Sequence, residues 1–255
     1  MKQNTPLMGA NRPVPPDRRL RIAEVRKVTE LSPHMRRVTL ASTALMDFPV
    51  RRPAEWIKVF VPTADGGKPS GRAYTIRHFR EALCEMDIDF VLHGDGPCST
   101  WAQYAAPGDV VQIAGPRGGF RLDPDVSHLL IGGDETALPA IGAILEALPA
   151  GLFVDAFVEI PEDADAQVIH SKADVEITWL PRGSDDAGQR STLAEAVMGA
   201  EVPQESGAVW FAAEASVARS VRRHFQLDRN MPRERLIVAG YWKNGESDFR
   251  DSEGS

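Results

Sequence analysis

The sequence predicts a two-domain β + α/β protein, with an antiparallel β-barrel followed by a parallel-sheet α/β domain. Three features carry this expectation. Six short segments of strand character, with one helical stretch among them, occupy residues 20–122. Turn clusters separate them at Phe48-Pro49, Asp65-Gly66-Gly67, Gly94-Asp95-Gly96-Pro97 and Pro107-Gly108-Asp109. Beyond Asp123-Pro124-Asp125 strands and helices alternate, which implies a parallel sheet with crossover helices.

In chain order the strand candidates of the first region are 21–27, 35–40, 56–62, 73–79, 85–93 and 110–114. Period-two alternation is clearest around Asp87-Ile88-Asp89-Phe90, and a helix is expected at 99–104. The second region opens with the apolar run His128-Leu129-Leu130-Ile131, which stops at Gly132-Gly133-Asp134. A helix is expected over 136–148, strands over 152–159 and 175–180, a helix over 192–198, a strand over 208–212, a helix over 215–225 and a last strand over 235–240. The expected organisation is a Pro-rich leader (1–17), a barrel domain (18–123), an α/β domain (124–243) and a polar, partly disordered tail (244–255).

With 43% hydrophobic and 25% charged residues in 255, the composition fits a soluble globular protein rather than a disordered or fibrous one. Two cysteines, Cys84 and Cys98, allow at most one disulfide and exclude a four-cysteine metal site within the chain. No pair among the six histidines has a metal-site spacing, so no protein-bound metal is expected. There is neither a membrane-length apolar run nor a secretory signal, which makes the cytoplasm the default compartment and argues against membrane insertion. The net charge of −7 conceals an asymmetry: residues 1–80 sum to +10 and the remainder to −17. A basic half attracts an anionic ligand. Nucleic acid is the weaker reading, because the basic residues are scattered along strand-like segments without a recognition motif.

Two segments carry chemistry. Arg72-Ala73-Tyr74-Thr75-Ile76-Arg77 places an aromatic, a hydroxyl and two arginines on one short strand, with 72, 74 and 76 on one face and 73, 75 and 77 on the other. An isoalloxazine ring needs a flat partner, which Tyr74 supplies, and a hydrogen bond to its reactive nitrogen, which Thr75 supplies; a diphosphate needs a fork-shaped cation, Arg72 or Arg77. Alone, the segment also fits an ordinary half-buried strand. In the second, Val91-Leu92-His93-Gly94-Asp95-Gly96-Pro97-Cys98-Ser99-Thr100-Trp101-Ala102, a strand ends in a Gly-rich turn and a helix begins near Ser99, so backbone amides and hydroxyls make a phosphate site. A routine capped helix reads the same way, but both segments in this order narrow the choice.

With these motifs the chain resembles the siderophore-interacting proteins, flavin-dependent ferric-siderophore reductases of the ferredoxin-reductase-like superfamily. The resemblance extends over roughly 18–245 and is also carried by Gly108-Asp109, Ile113-Ala114-Gly115-Pro116-Arg117-Gly118-Gly119, Gly132-Gly133-Asp134-Glu135-Thr136-Ala137-Leu138-Pro139-Ala140-Ile141, Trp210-Phe211-Ala212-Ala213-Glu214 and Gly240-Tyr241-Trp242-Lys243. It implies an FAD-binding barrel and an NAD(P)-binding α/β domain. It also implies that Arg72, Ala73, Tyr74 and Thr75 hold the flavin and that His93, Gly94, Pro97, Ser99 and Thr100 lie near the dinucleotide phosphates. Asp134, Glu135, Thr136 and Ala137 would lie where nicotinamide and flavin meet, with Glu214 and Trp242 in the motifs beside them. Three positions depart from the family pattern: Ala213 for a frequent Gly, Lys243 for Arg, and Cys98 for a small residue, read as structural because nothing nearby lowers its pKa.

No Gly-x-Gly-x-x-Gly run is present, so the nucleotide domain is not a standard dinucleotide fold. Arg182 and Arg219 are candidates for a 2′-phosphate and equally fit solvated surface charges, which leans the donor toward NADPH over NADH. The expected activity is NAD(P)H-dependent, FAD-mediated reduction of an anionic ferric siderophore such as an iron–catecholate, by a monomer. Lys58 and Lys243 are candidates for holding the chelate, with Arg51 and Arg52 weaker. A reductase for a small electron-carrier protein and a non-redox siderophore binder are the rival readings.

Overall fold

The computed structural model describes residues 19–63, 67, 69–94, 96–184, 187–188, 192–247, 249 and 251. The expected leader (1–17), parts of the turns at 65–66 and 95, and residues 248, 250 and 252–255 of the expected tail lie outside the described residues.

The first domain is a closed antiparallel barrel of six strands: β1 (Arg21–Ser32), β2 (Met35–Ala41), β3 (Glu55–Val61), β4 (Ser70–Arg80), β5 (Glu85–Val91) and β6 (Val110–Gly118), ordered β1-β2-β5-β4-β3-β6. Alternation builds it. Along β3, Ile57, Val59 and Val61 point into the barrel, while Trp56, Lys58 and Phe60 are only partly covered. The interior is filled by Val25, Val38, Leu40, Ile57, Val59, Met86, Ile88, Phe90 and Ile113. Helix α1 (Pro97–Tyr104) contributes Cys98 and Ala102 to this core. β1 runs to Ser32 rather than 27, because pairing with β2 continues through Ser32 and Met35 and Val28 and Leu31 pack against the cores.

The second domain is a parallel sheet of five strands: β7 (His128–Gly133), β8 (Phe153–Ile160), β9 (Asp174–Pro181), β10 (Gly207–Glu214) and β11 (Leu236–Trp242), ordered β11-β10-β7-β8-β9. Central strand β7 is buried on both faces, as its unbroken apolar run requires. One face packs α2 (Leu138–Ala147) through Ile141, Ile144 and Leu145; the other packs α3 (Thr192–Gly199) and α4 (Ala215–Arg223). Among the described residues no helix is long and apolar enough to cross a membrane. The described part of the tail is not loose. Asp251 accepts the Gly240 amide (2.7 Å) and the Asn244 amide donates to Glu214 (3.3 Å), which ties both residues to the ends of β10 and β11.

Barrel and sheet share one core, in which Met35, Ala54 and Phe120 pack with Leu129, Ile131 and Leu138. Polar links join them as well. Buried Asp165 accepts Ser32 Oγ (2.6 Å) and the His34 amide (3.0 Å) and pairs with His34 Nδ1 (2.8 Å). Arg77 on β4 forks onto Glu146 of α2 (2.6 and 2.7 Å).

Candidate functional site

On the barrel side the site is built on β4. Its register against β3 sets Tyr74 opposite Ile57 and Arg72 opposite Val59, and sets Thr75 opposite Trp56 and Ala73 opposite Lys58 on the other face. Tyr74 is braced by Phe90 (ring centroids 4.3 Å), which in turn meets Trp101 (5.5 Å). Burial, followed by the neighbouring Cys98, pushes the Tyr74 phenol well above its ordinary pKa, so it stays neutral. Burial likewise raises the Cys98 thiol despite the nearby Arg72 and Lys58 charges; this is a packed thiol, not an activated one.

The turn after β5 delivers α1. Gly96 is its N-cap and Pro97 its first residue, and no described side chain caps it; the Cys98 and Ser99 amides head the helix without an intrahelical partner. Ser99 Oγ accepts the His93 amide (2.8 Å) and sets the turn, and Thr100 is exposed. A methyl group built on Gly94 (φ +49°) or Gly96 would meet nothing within 4 Å. Open space around a helix start, with the Arg72 charge close enough to act on Cys98, suits a diphosphate. The donor set and the half-buried Tyr74 therefore fit FAD.

On the sheet side everything converges on the C-terminal ends of β7, β10 and β11, where ligands bind in open parallel sheets. Asp134, 4% exposed, accepts the Thr136 amide (3.0 Å) and hydroxyl (2.5 Å), the Glu214 amide (3.0 Å) and Trp242 Nε1 (2.8 Å). Burial and then the neighbouring Glu135 charge push its pKa up to about 7, against the pull of these donors. Glu135 is held by Arg182 (2.8 and 2.9 Å), which also binds Glu159 at the end of β8 (3.0 Å). Glu214 caps α4 through the Ser216 and Val217 amides (2.5 and 3.3 Å); burial raises its pKa, but these donors outweigh it and the net shift is downward. Ala137, fully buried, leads into α2.

Two expectations change. Arg77, itself buried, forks onto the partly exposed Glu146, so it is not presented to a diphosphate. Arg182 is enclosed by two carboxylates, so it is not presented to a 2′-phosphate. Arg219 stays exposed on α4. Lys58 lies on the outer barrel face shared with Ala73 and Thr75, whereas Lys243 pairs with Glu246 (2.6 Å) beyond β11. Ala213 is buried in the α4-side core, one residue before Glu214 at the end of β10. Sequence reasoning singled out neither Glu146 nor Trp56, which lies beside Thr75 with Arg117 over its ring (5.2 Å). The Gly-Pro-Arg-Gly-Gly stretch held a signal for Arg117; nothing local marked Glu146.

The model of the family described as "Siderophore-interacting protein" matches residues 126–245, and that of the "Siderophore-interacting FAD-binding domain" matches 24–70 and 63–120. The chain is 32% identical to the ferric vibriobactin reductase of Vibrio cholerae, over 86% of this chain and 87% of that protein. It is 28% identical to the NADPH-dependent ferric-chelate reductase of Escherichia coli, over 89% and 94%. The crystal structure of a siderophore utilization protein from T. fusca superposes with a TM-score of 0.86 at 31% identity, covering 91% of this chain and 95% of that one. A ferredoxin reductase of carbazole 1,9a-dioxygenase, at 17% identity and a TM-score of 0.66, shares the two-domain fold over 91% of this chain and 70% of that one.

Proposed function

The chain belongs to the siderophore-interacting protein family, and from that premise we propose that it is an NAD(P)H-dependent oxidoreductase that uses FAD to reduce the iron of a ferric siderophore. The observation that carries the proposal is a juxtaposition: α2 begins directly after Asp134-Glu135-Thr136-Ala137 and packs on β4, the strand of Arg72, Tyr74 and Thr75. A nicotinamide at the ends of β7 and β10 then lies beside a flavin on β4.

When bound, FAD accepts two electrons from the nicotinamide and returns them singly to an external acceptor. The chain's own residues place and tune it. Arg72 and the first amides of α1, with His93, Gly94, Pro97, Ser99 and Thr100, hold the diphosphate. Tyr74 gives the ring a flat neutral face, and Thr75 offers a hydroxyl to its reactive nitrogen. Thr136 and Ala137 admit the nicotinamide over the loop that Asp134 holds, with Glu214 and Trp242 as its walls. NADPH is the proposed donor, with Arg219, exposed on α4, as the candidate cation for a 2′-phosphate.

The substrate is an anionic ferric chelate, an iron–catecholate among them. Ferric iron favours anionic oxygen ligands and ferrous iron binds them less tightly, so reduction loosens the complex. Lys58, on the outer face with Thr75, attracts the chelate beside the flavin, and Lys243 borders it from the sheet side. The protein works as a cytoplasmic monomer with a barrel domain over 18–123 and a nucleotide domain over 124–243. Lys58→Ala with Lys243→Ala is expected to raise KM for an anionic ferric chelate several-fold without changing FAD titration. An unchanged KM removes both lysines from the site, and failure of the wild type to take up FAD removes the activity itself.

A further inference from the structure

The outer face of β5 carries two carboxylates that are nonetheless buried: Asp87 is 5% and Asp89 3% exposed. Asp89 takes a fork from Arg37 (2.6 and 2.8 Å), and Asp87 takes one from Arg80 (2.7 and 2.8 Å) and a hydrogen bond from Thr39 (2.7 Å). His78 bridges Asp87 and Glu146, 3.1 Å from each. Within this lattice Arg77 crosses from barrel to helix. Its side chain is 5% exposed, its fork meets both oxygens of Glu146, and its Nε lies 3.9 Å from Asp89.

The helix is shaped to receive it. Gly142 precedes Glu146 by one turn on the same face. A Cβ on Gly142 would sit 2.8–2.9 Å from three atoms of the Arg77 guanidinium, which therefore lies flat on the helix backbone. Only the arginine of this pair is buried, the Glu146 side chain being 33% exposed, and a partly exposed ion pair is weak support for stability. A two-bond fork in a fitted niche does something an apolar pair does not: it fixes register.

We propose that Arg77 and Glu146 are positioning residues for electron transfer, locking α2 against β4 so that the loop 134–137 is held at a fixed spacing from Tyr74 and Thr75. The connection is short. Arg77 follows Thr75 by two residues on β4, where the strand bulges against β5 between Ile76 and His78, and Glu146 lies on the helix that Ala137 starts. This rests on the reductase reading above. Hydride donor and acceptor react only in a narrow geometry, and misplacement by about 1 Å costs on the order of 100-fold in rate. Transfer from flavin to an external chelate does not cross the α2–β4 contact and is insensitive to it.

The test uses Glu146→Gln, Arg77→Lys, which keeps charge but loses the fork, and Gly142→Ala, which keeps both charges but fills the niche. Each is loaded with FAD and its two half-reactions are followed separately by stopped flow. Reduction by NADPH is expected to slow roughly 10-fold to 100-fold. Reoxidation by ferric chelate and FAD affinity are expected to stay within about 2-fold. In the flavin-free variants, amide hydrogen exchange across 138–147 is expected to accelerate relative to wild type. Wild-type reduction rates in Arg77→Lys and Gly142→Ala overturn the proposal, as does equal slowing of both half-reactions, the mark of a merely structural role. Failure of the wild type to bind FAD or accept electrons from NADPH instead overturns the reductase reading, and the exchange result then stands apart from it.

Discussion

The two halves of the site satisfy their polar groups in opposite ways. On the barrel side no described side chain caps the start of α1, and among the described residues nothing crowds Gly94 and Gly96. On the sheet side nearly every polar group is consumed internally: Asp134 by four donors, Glu135 and Glu159 by Arg182, Glu214 by the start of α4. The difference separates residues that wait for a ligand from residues that build the place where one lies. Polar groups left open are binding groups, and polar groups already saturated shape backbone.

The largest expected effect falls on the saturated half. Asp134→Ala leaves the Trp242 indole N–H and the Glu214 amide without their acceptor, at a cost of about 3 kcal/mol by urea unfolding of the flavin-free protein. A cost below about 1 kcal/mol would make Asp134 a ligand-binding group and erase the contrast. Next is Arg72→Ala on the barrel side. Its stability is expected to stay near wild type while FAD affinity falls on the order of 30-fold, the loss of a charge-assisted hydrogen bond to phosphate. Arg182→Ala sharpens the comparison further: KM for NADPH and NADH should rise together, because the loop through Glu135 loosens for both. A rise confined to NADPH would return Arg182 to the 2′-phosphate.

The same comparison can be read in pH. Asp134 has its folded pKa raised to about 7, so its contribution to stability is present below the unfolded value of roughly 4 and is lost as pH rises toward 7. For Glu146 and Asp165 burial raises the pKa, but their hydrogen bonds and charged partners outweigh it and the net shift is downward. Their contribution has the other sign, present above roughly 4 and lost as pH falls through the folded values. Relative to wild type, Asp134→Asn should therefore gain stability between pH 4 and 7 and level off above; Glu146→Gln should lose its deficit only in acid. Urea midpoints across pH 3–8 read both, and parallel curves would contradict the assignment.

Much of this was legible in the sequence because its signals are local. Alternation marked several barrel strands, the apolar run at 128–131 and the strand–helix alternation after it marked the parallel sheet, and the Gly-rich turn at 94–97 marked the helix start. What escaped was pairing across distance. Asp87 and Asp89 resemble the solvent face of a strand until Arg37 and Arg80 fold over them. Arg77 resembles a phosphate ligand until Glu146, 69 residues away, reaches it. Arg182 finds partners 47 and 23 residues back. A cation's residue type shows that it will be matched; only the fold shows by what.

The most direct measurement follows the flavin spectrum of FAD-loaded protein under argon while NADPH and then a ferric catecholate are added, with a ferrous-specific chelator present. The account predicts that the absorbance bleaches with NADPH, returns on adding the ferric complex, and yields two ferrous ions per NADPH consumed. A bleached flavin that stays reduced in the presence of the ferric complex, with no ferrous iron trapped, would contradict it.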